Sequence, residues 1–146
     1  MNKLYVILLA AFISISSVGI TKAKEPYVYL SVQQKDVNLE SLLYCDTITH
    51  NALKLTVYSN CFHGPVVACM SSLKNLEGAE ILSDRIFIKT DYTGSFISMD
   101  RPVIISKPEF GTHDIIIDFK VKANGAYDRA GCYSGTIAFT IMPPAL

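Results

Sequence analysis

Histidine, thiol and hydroxyl side chains are the first candidates for chemistry, because histidine is the commonest general base. His50, His63 and His113 are far apart and form no H-E-x-x-H or H-x-H arrangement. The run Gly131–Gly135 contains Cys132 and is similar to a nucleophile elbow, but its serine is displaced from the centre of G-x-S-x-G. A strand, not a helix, is expected to follow this run, whereas the elbow requires a helix. The sequence therefore predicts no enzyme.

Metal, phosphate and nucleic-acid binding lack their usual residue patterns. The chain has no C-x-x-C pair and no D-x-D-x-D-G calcium loop, and its glycines stand singly at turn positions. Beyond residue 23 it carries 11 basic and 13 acidic residues without a basic cluster. Phosphate neutralisation requires such a cluster. We expect no cofactor, no metal and no nucleic-acid partner.

The N-terminus has the three parts of a secretory signal peptide. Asn2-Lys3 gives a positive start, Leu4–Ile15 is apolar, and Thr21-Lys22-Ala23 offers small residues for cleavage. The apolar run is shorter than the roughly 20 residues of a membrane-spanning helix, and no later run is longer. We expect residues 1–23 to be removed and residues 24–146 to form one exported domain, located in the periplasm, at the cell surface or outside the cell.

Four cysteines lie in the expected mature region: Cys45, Cys61, Cys69 and Cys132. An even number in an exported domain indicates two disulfides, because the outer compartments are oxidising. Three pairings are open. We favour Cys61–Cys69 as a local bond and Cys45–Cys132 as the bond that joins distant parts of the domain.

Alternation of apolar and polar residues, which marks half-buried strands, dominates the mature chain. It is clearest in Leu53–Ser59, His113–Ala123 and Thr136–Ile141. Weaker strand candidates are Tyr27–Gln33, Val66–Ser72, Arg85–Thr90, Ser95–Met99 and Val103–Ser106. Only Val37–Leu43 and Ser71–Leu82 have room for a helical turn. The sequence predicts an all-β, single-domain, immunoglobulin-like antiparallel β-sandwich of about 7–9 strands, with a small closed barrel as the alternative.

The closing segment carries a resemblance to a known group of proteins. Between Ala130 and Ile141 the sequence follows the pattern A-G-x-Y-x-G-T-I-x-F-T-I. This pattern resembles the terminal strand of exported bacterial β-sandwich proteins, namely pilus (fimbrial) subunits and surface-layer proteins. The resemblance implies a structural role at the cell surface and partners that are other protein subunits.

Two functions are consistent with these observations. The first is an assembly subunit, in which Val28, Leu30 and Val32 insert into the sheet of a neighbouring copy by strand addition; the alternative is that they form the first strand of their own sheet. The second is a monomeric binding module for a glycan, peptide or envelope component. Its ligand would contact loops at one end of the domain, and the candidate residues are His63, Tyr92, Phe96 and Tyr127. We expect the first function, with homo-oligomers as its product.

Overall fold

The computed structural model describes residues 24–34, 46–122, 124, 128 and 132–145. The expected signal peptide, Val37–Leu43, Cys45 and Tyr127 lie outside these residues. The described part is all-β apart from one 3-10 helical turn, Ser83–Arg85. Its strands are β1 (Val28–Gln34), β2 (Thr47–Ser59), β3 (Phe62–His63), β4 (Val66–Met70), β5 (Leu73–Asn75), β6 (Glu80–Ile81), β7 (Ile86–Lys89), β8 (Ile97–Ser98), β9 (Val103–Ile104), β10 (Glu109–Phe110), β11 (His113–Val121), β12 (Tyr133–Ser134) and β13 (Ile137–Ile141).

The strands form several antiparallel sheets. The largest has the order β1-β2-β11-β7-β8, with β1 at one edge. Two three-stranded sheets have the orders β13-β4-β9 and β12-β5-β6, and β3 pairs with β10. All described pairings are antiparallel. The prediction of an antiparallel all-β chain is confirmed.

The core is one cluster of buried side chains from the largest sheet and from both three-stranded sheets. On β2, Leu55 and Val57 are fully buried, while on β11 Ile117 is fully buried and Ile115 nearly so. Val66 and Ala68 of β4 are buried in the same cluster. The inward faces predicted for Leu53–Ser59 and His113–Ala123 are confirmed, since their burial alternates with a period of two residues.

An irregularity interrupts the pairing of β2 with β11. Ile117 is opposite Leu53, but Phe119 is opposite Thr49, so the β2 side contains extra residues. Asn51 has a φ of 50°, and its backbone N–H donates to Asp118 Oδ1 over 2.8 Å. Burial of the Asp118 carboxyl opposes ionisation, yet this hydrogen bond and the contact with His50 Nδ1 at 3.1 Å leave its pKa below the usual value.

The helical turn considered for Ser71–Leu82 is wrong. This segment forms the β5–β6 hairpin, in which Leu73 is opposite Ile81. Gly78 adopts a φ of 85°, which only glycine reaches without strain. Asn75 Oδ1 accepts hydrogen bonds from the N–H groups of Glu77 and Ala79. The turn chemistry of Asn75 and Gly78 therefore decides the structure here.

The structure contains Cys61, Cys69 and Cys132 as free thiols, so the predicted Cys61–Cys69 disulfide is not formed. Cys61 precedes β3, which pairs with β10, whereas Cys69 lies on β4 opposite Ala138 of β13. The chain therefore carries the two thiols into different sheets, even though only seven residues separate them in sequence. Cys132 is exposed, and its predicted partner Cys45 lies outside the described residues.

Candidate functional site

An open groove with a mainly apolar lining lies in the described part of the chain. Its volume is about 580 Å³. The largest sheet lines one side with Val32, Leu53 and Phe119. Met70, Leu73, Ile137 and Phe139 line the other side. The groove therefore lies between the β1 edge of one sheet and the β13 edge of another, where the apolar interior opens to solvent.

The β13 wall of the groove is an edge strand. β13 pairs with β4, and within the described residues it has no partner on its other side. Its start is fixed by two hydrogen bonds of 2.9 Å, from Ser71 N–H to Thr136 O and from Thr136 N–H to Ser71 Oγ. Ile137 and Phe139 point toward the core but stay partly exposed. This edge offers both backbone groups and apolar side chains to an added strand.

The β1 wall has the same incompleteness. Leu30 and Val32 are opposite the buried residues Val57 and Leu55, so Val28, Leu30 and Val32 face the core side of the sheet. Even so, Val28 is 41% and Val32 49% exposed, and only Leu30 packs against the core. The structure places this segment at the edge of its own sheet and leaves part of its inward face uncovered.

Tyrosine rings on the opposite face connect β1 to β2. Tyr29 is directly opposite Tyr58, and their rings stack with centroids 4.9 Å apart and planes 17° apart. Tyr27 lies 6.1 Å from Tyr29. Because the rings stack, each one covers a face of the other. The arrangement fits a contact that stabilises strand pairing better than a platform for a ligand.

We expect a double-mutant cycle on Tyr29 and Tyr58 to give a coupling free energy of about 1 kcal/mol, the usual value for an aromatic pair. The variants are Tyr29→Ala, Tyr58→Ala and the double variant. Urea unfolding measures how much each of the three lowers the free energy of unfolding. Tyr27→Ala with Tyr58→Ala is the matched control, since no contact between those two rings is found. Additive losses for Tyr29 and Tyr58 would show that the stack does not stabilise the β1–β2 pairing.

The three predicted binding-loop residues that the structure describes, His63, Tyr92 and Phe96, do not line one common cavity. His63 is 2% exposed and stacks on His113 at 5.2 Å, with Nδ1 2.8 Å from Gly64 O. It is therefore interior and unavailable to a surface ligand. Phe96 lies near Lys89, whose Nζ is 5.9 Å from the ring centre, whereas Tyr92 lines a separate cavity. Tyr127 lies outside the described residues. The sequence also gave no sign of the histidine stack.

A buried ion pair near the groove was not predicted. The Asp128 side chain is 3% exposed and receives both terminal nitrogens of Arg85, one of them over 2.8 Å. Asp128 also accepts from the Asn124 N–H over 2.6 Å, and Arg85 donates to Lys122 O over 2.6 Å. The hydrogen bond from Arg85 is the main reason that the pKa of Asp128 lies below its usual value. Arg85, at the end of the 3-10 turn before β7, is thereby joined to Asp128 and to the backbone of Lys122.

The comparisons with protein families and curated proteins identified no relative of this chain. No family model matches this chain, and none of the curated proteins is significantly similar to it. Among the described residues there is no group of three metal-binding side chains. The same residues include no helix with the length and hydropathy required to cross a membrane. The groove and its two edge strands therefore carry the functional argument.

Proposed function

We propose that this chain is an exported structural subunit that assembles with copies of itself at the cell surface, as fimbrial subunits do, through exchange of the strand β1. In the assembly, β1 leaves its own β2 and lies in the groove of the next copy, between β2 and β13. The proposed frame is an immunoglobulin-like sandwich whose gap the incoming strand fills. The observation that supports it most is that Val32 of β1 and Ile137 and Phe139 of β13 line one groove and all remain partly exposed.

The free energy of exchange favours this proposal. Val28 and Val32 together leave nearly half of their surface in water in the single chain. Burial of apolar surface is worth roughly 25 cal/mol per Å², and a strand between β2 and β13 would cover these residues with Ile137 and Phe139. The backbone pairing with β2 is re-formed in the partner, so its loss has no net effect. Exchange therefore conserves the β1–β2 contacts, and the gain in burial comes from the new contact of the incoming strand with β13.

The connection is long enough for the strand to reach a neighbour. Gln34 ends β1, and Thr47 begins β2, so residues 35–46 join them. At roughly 3.3 Å per residue, an extended segment of that length spans about 40 Å. Because this is comparable to the width of a small domain, β1 can lie on a second copy while its own β2 stays in place.

A disulfide lock on β1 tests the proposal. Ser31 and Thr56 are directly opposite on the outward face of β1 and β2. We expect Ser31→Cys/Thr56→Cys, oxidised as the dilute monomer, to remain monomeric at concentrations at which the unaltered chain forms a ladder of oligomers. Size-exclusion chromatography with light scattering measures the masses, and peptide mapping identifies the disulfide. Reduction is expected to restore the ladder.

The matched control links strands that do not exchange. Lys54 of β2 and Ile116 of β11 are also opposite one another. The test pair removes Thr56 and the control pair removes Lys54, and each of these side chains contacts Asp114. The two variants therefore lose a comparable contact. This disulfide should leave the ladder intact. A monomeric unaltered chain, or equal assembly of the locked and unlocked proteins, would contradict strand exchange.

A further inference from the structure

A second cavity lies away from the groove, at the end of the molecule where β11 begins. Its volume is about 430 Å³, within the range of small-ligand sites. Loop residues 90–92 form one wall and residues 105–109 another, while residues 113–116 of β11 form the third side. Ile105 and Ile115 give it a buried apolar base. This cavity is called the Tyr92 cleft below.

The walls of the Tyr92 cleft are held in place by hydrogen bonds. Thr90 is buried, and its Oγ1 donates to Ile105 O over 2.9 Å, which joins two of the walls. Thr93 Oγ1 accepts from the Thr90 N–H over 2.9 Å, and the Gly94 N–H donates to Thr90 O over 3.1 Å. Ser106 accepts from the Val66 N–H, which ties the second wall to β4. A ligand would therefore meet a cleft that is already formed.

Three polar side chains around the cleft have no partner among the residues that the structure describes. Asp91, Tyr92 and Lys107 line it, and none of them makes a hydrogen bond or ion pair with the described residues. Of the other carboxylates, Asp114 lies 2.8 Å from Lys54 Nζ, whereas Glu109 lies 3.9 Å from His113 Nε2, too far for a hydrogen bond. Tyr92 is 55% exposed. One acceptor, one cationic donor and one aromatic ring therefore remain free for a ligand.

We propose that the Tyr92 cleft binds a neutral sugar ring. An anion would face the carboxylates of Asp91 and Glu109, and a cation would face Lys107. A neutral polyhydroxyl compound satisfies both signs, because each hydroxyl donates to a carboxylate and accepts from an ammonium group. The apolar face of the sugar packs against Tyr92, whose ring combines an apolar body with a polar tip. This adds sugar binding to the assembly role and does not depend on it.

Amide NMR of the ¹⁵N-labelled protein tests the site, with the methyl glycosides of glucose, galactose, mannose and N-acetylglucosamine as probes. At least one is expected to shift the signals of residues 90–92, 105–109 and 113–116, with a dissociation constant on the order of 1 mM. Tyr92→Ala and Asp91→Asn should each weaken that binding about tenfold. Tyr27→Ala and Asp100→Asn are matched exposed controls and should leave the affinity unchanged.

Three results would overturn the assignment. The first is that none of the four glycosides shifts any signal at tens of millimolar. The second is that shifts occur outside the cleft or survive Tyr92→Ala unchanged. The third is that inorganic phosphate or butylamine perturbs the cleft while every sugar fails, which would replace the neutral ligand with a charged one. None of these outcomes bears on strand exchange, since the groove and the Tyr92 cleft share no residue.

Discussion

Asp128→Ala is expected to lower the free energy of unfolding by about 3 kcal/mol, because it leaves Arg85 without its buried partner. This value is at the lower end of the range for removing one partner of a buried ion pair. The reason is that 22% of the Arg85 side chain is exposed, so water can reach the guanidinium. The hydrogen bond from the Asn124 N–H is lost as well. Urea unfolding at neutral pH measures the change, and Asp100→Ala, an exposed aspartate, is the control. Equal losses in the two variants would refute this role of Asp128.

The same pair predicts how stability depends on pH. Because the pKa of Asp128 is lowered in the folded protein, its contribution is fully present above the unfolded value of about 3.9. It is lost as the pH falls through the folded pKa, where the native carboxylate takes up its proton. We therefore expect the stability difference between the unaltered protein and Asp128→Ala to be constant from pH 5 to 7 and to shrink below about pH 4. A difference that is unchanged at pH 3 would contradict this.

Gly64→Ala is expected to lower the free energy of unfolding by roughly 3 kcal/mol, which is at the upper end of the usual loss when a methyl group is added at a packed position. A Cβ at this position would lie 2.4 Å from both Met142 O and Pro143 O, and these are backbone atoms that no side-chain rotation can move. The Gly64 N–H also donates to Met142 O over 3.1 Å, so the chain after β13 is bound there. The substitution must separate these two backbones.

Thermal and urea unfolding of Gly64→Ala provide the measurement. Gly78→Ala is the control, because Gly78 has a φ of 85° but nothing within 4 Å of its Cβ position. Gly78→Ala should lower the free energy of unfolding by only about 1 kcal/mol, because the sole penalty is the strain of alanine in a left-handed conformation. A Gly64→Ala variant no less stable than Gly78→Ala would mean that the close approach to Met142 and Pro143 is absent.

The long strands were predictable because their pattern is local. In β2, β11 and β13 the inward residues recur at every second position, and burial follows that order. The β5–β6 hairpin was missed because its signal is the hydrogen bonding of Asn75 and the left-handed Gly78, and neither affects hydropathy. Local hydropathy patterns thus identified the long strands but did not identify the β5–β6 hairpin, whose structure depends on its turn residues.

Contacts between distant residues were not predictable from a single sequence. Arg85 and Asp128 are 43 positions apart, and neither residue type indicates a partner. The Cys61–Cys69 prediction failed for the same reason, since closeness in sequence did not reveal that the chain passes to another sheet at Gly64 and Pro65. The groove likewise depends on which strands lie at sheet edges. Val28, Leu30 and Val32 could be named as an apolar face, but their exposure follows from topology.

The stacked Tyr29 and Tyr58 rings also supply a built-in optical reporter. The chain has no tryptophan, so its near-ultraviolet circular dichroism and intrinsic fluorescence come mainly from tyrosine. Two phenol rings 4.9 Å apart are coupled electronically, and separating β1 from β2 removes that coupling. Under the proposed exchange, time-resolved spectroscopy on unlabelled protein would therefore record the separation of β1 from its own β2 and the pairing with a second copy as two successive kinetic phases.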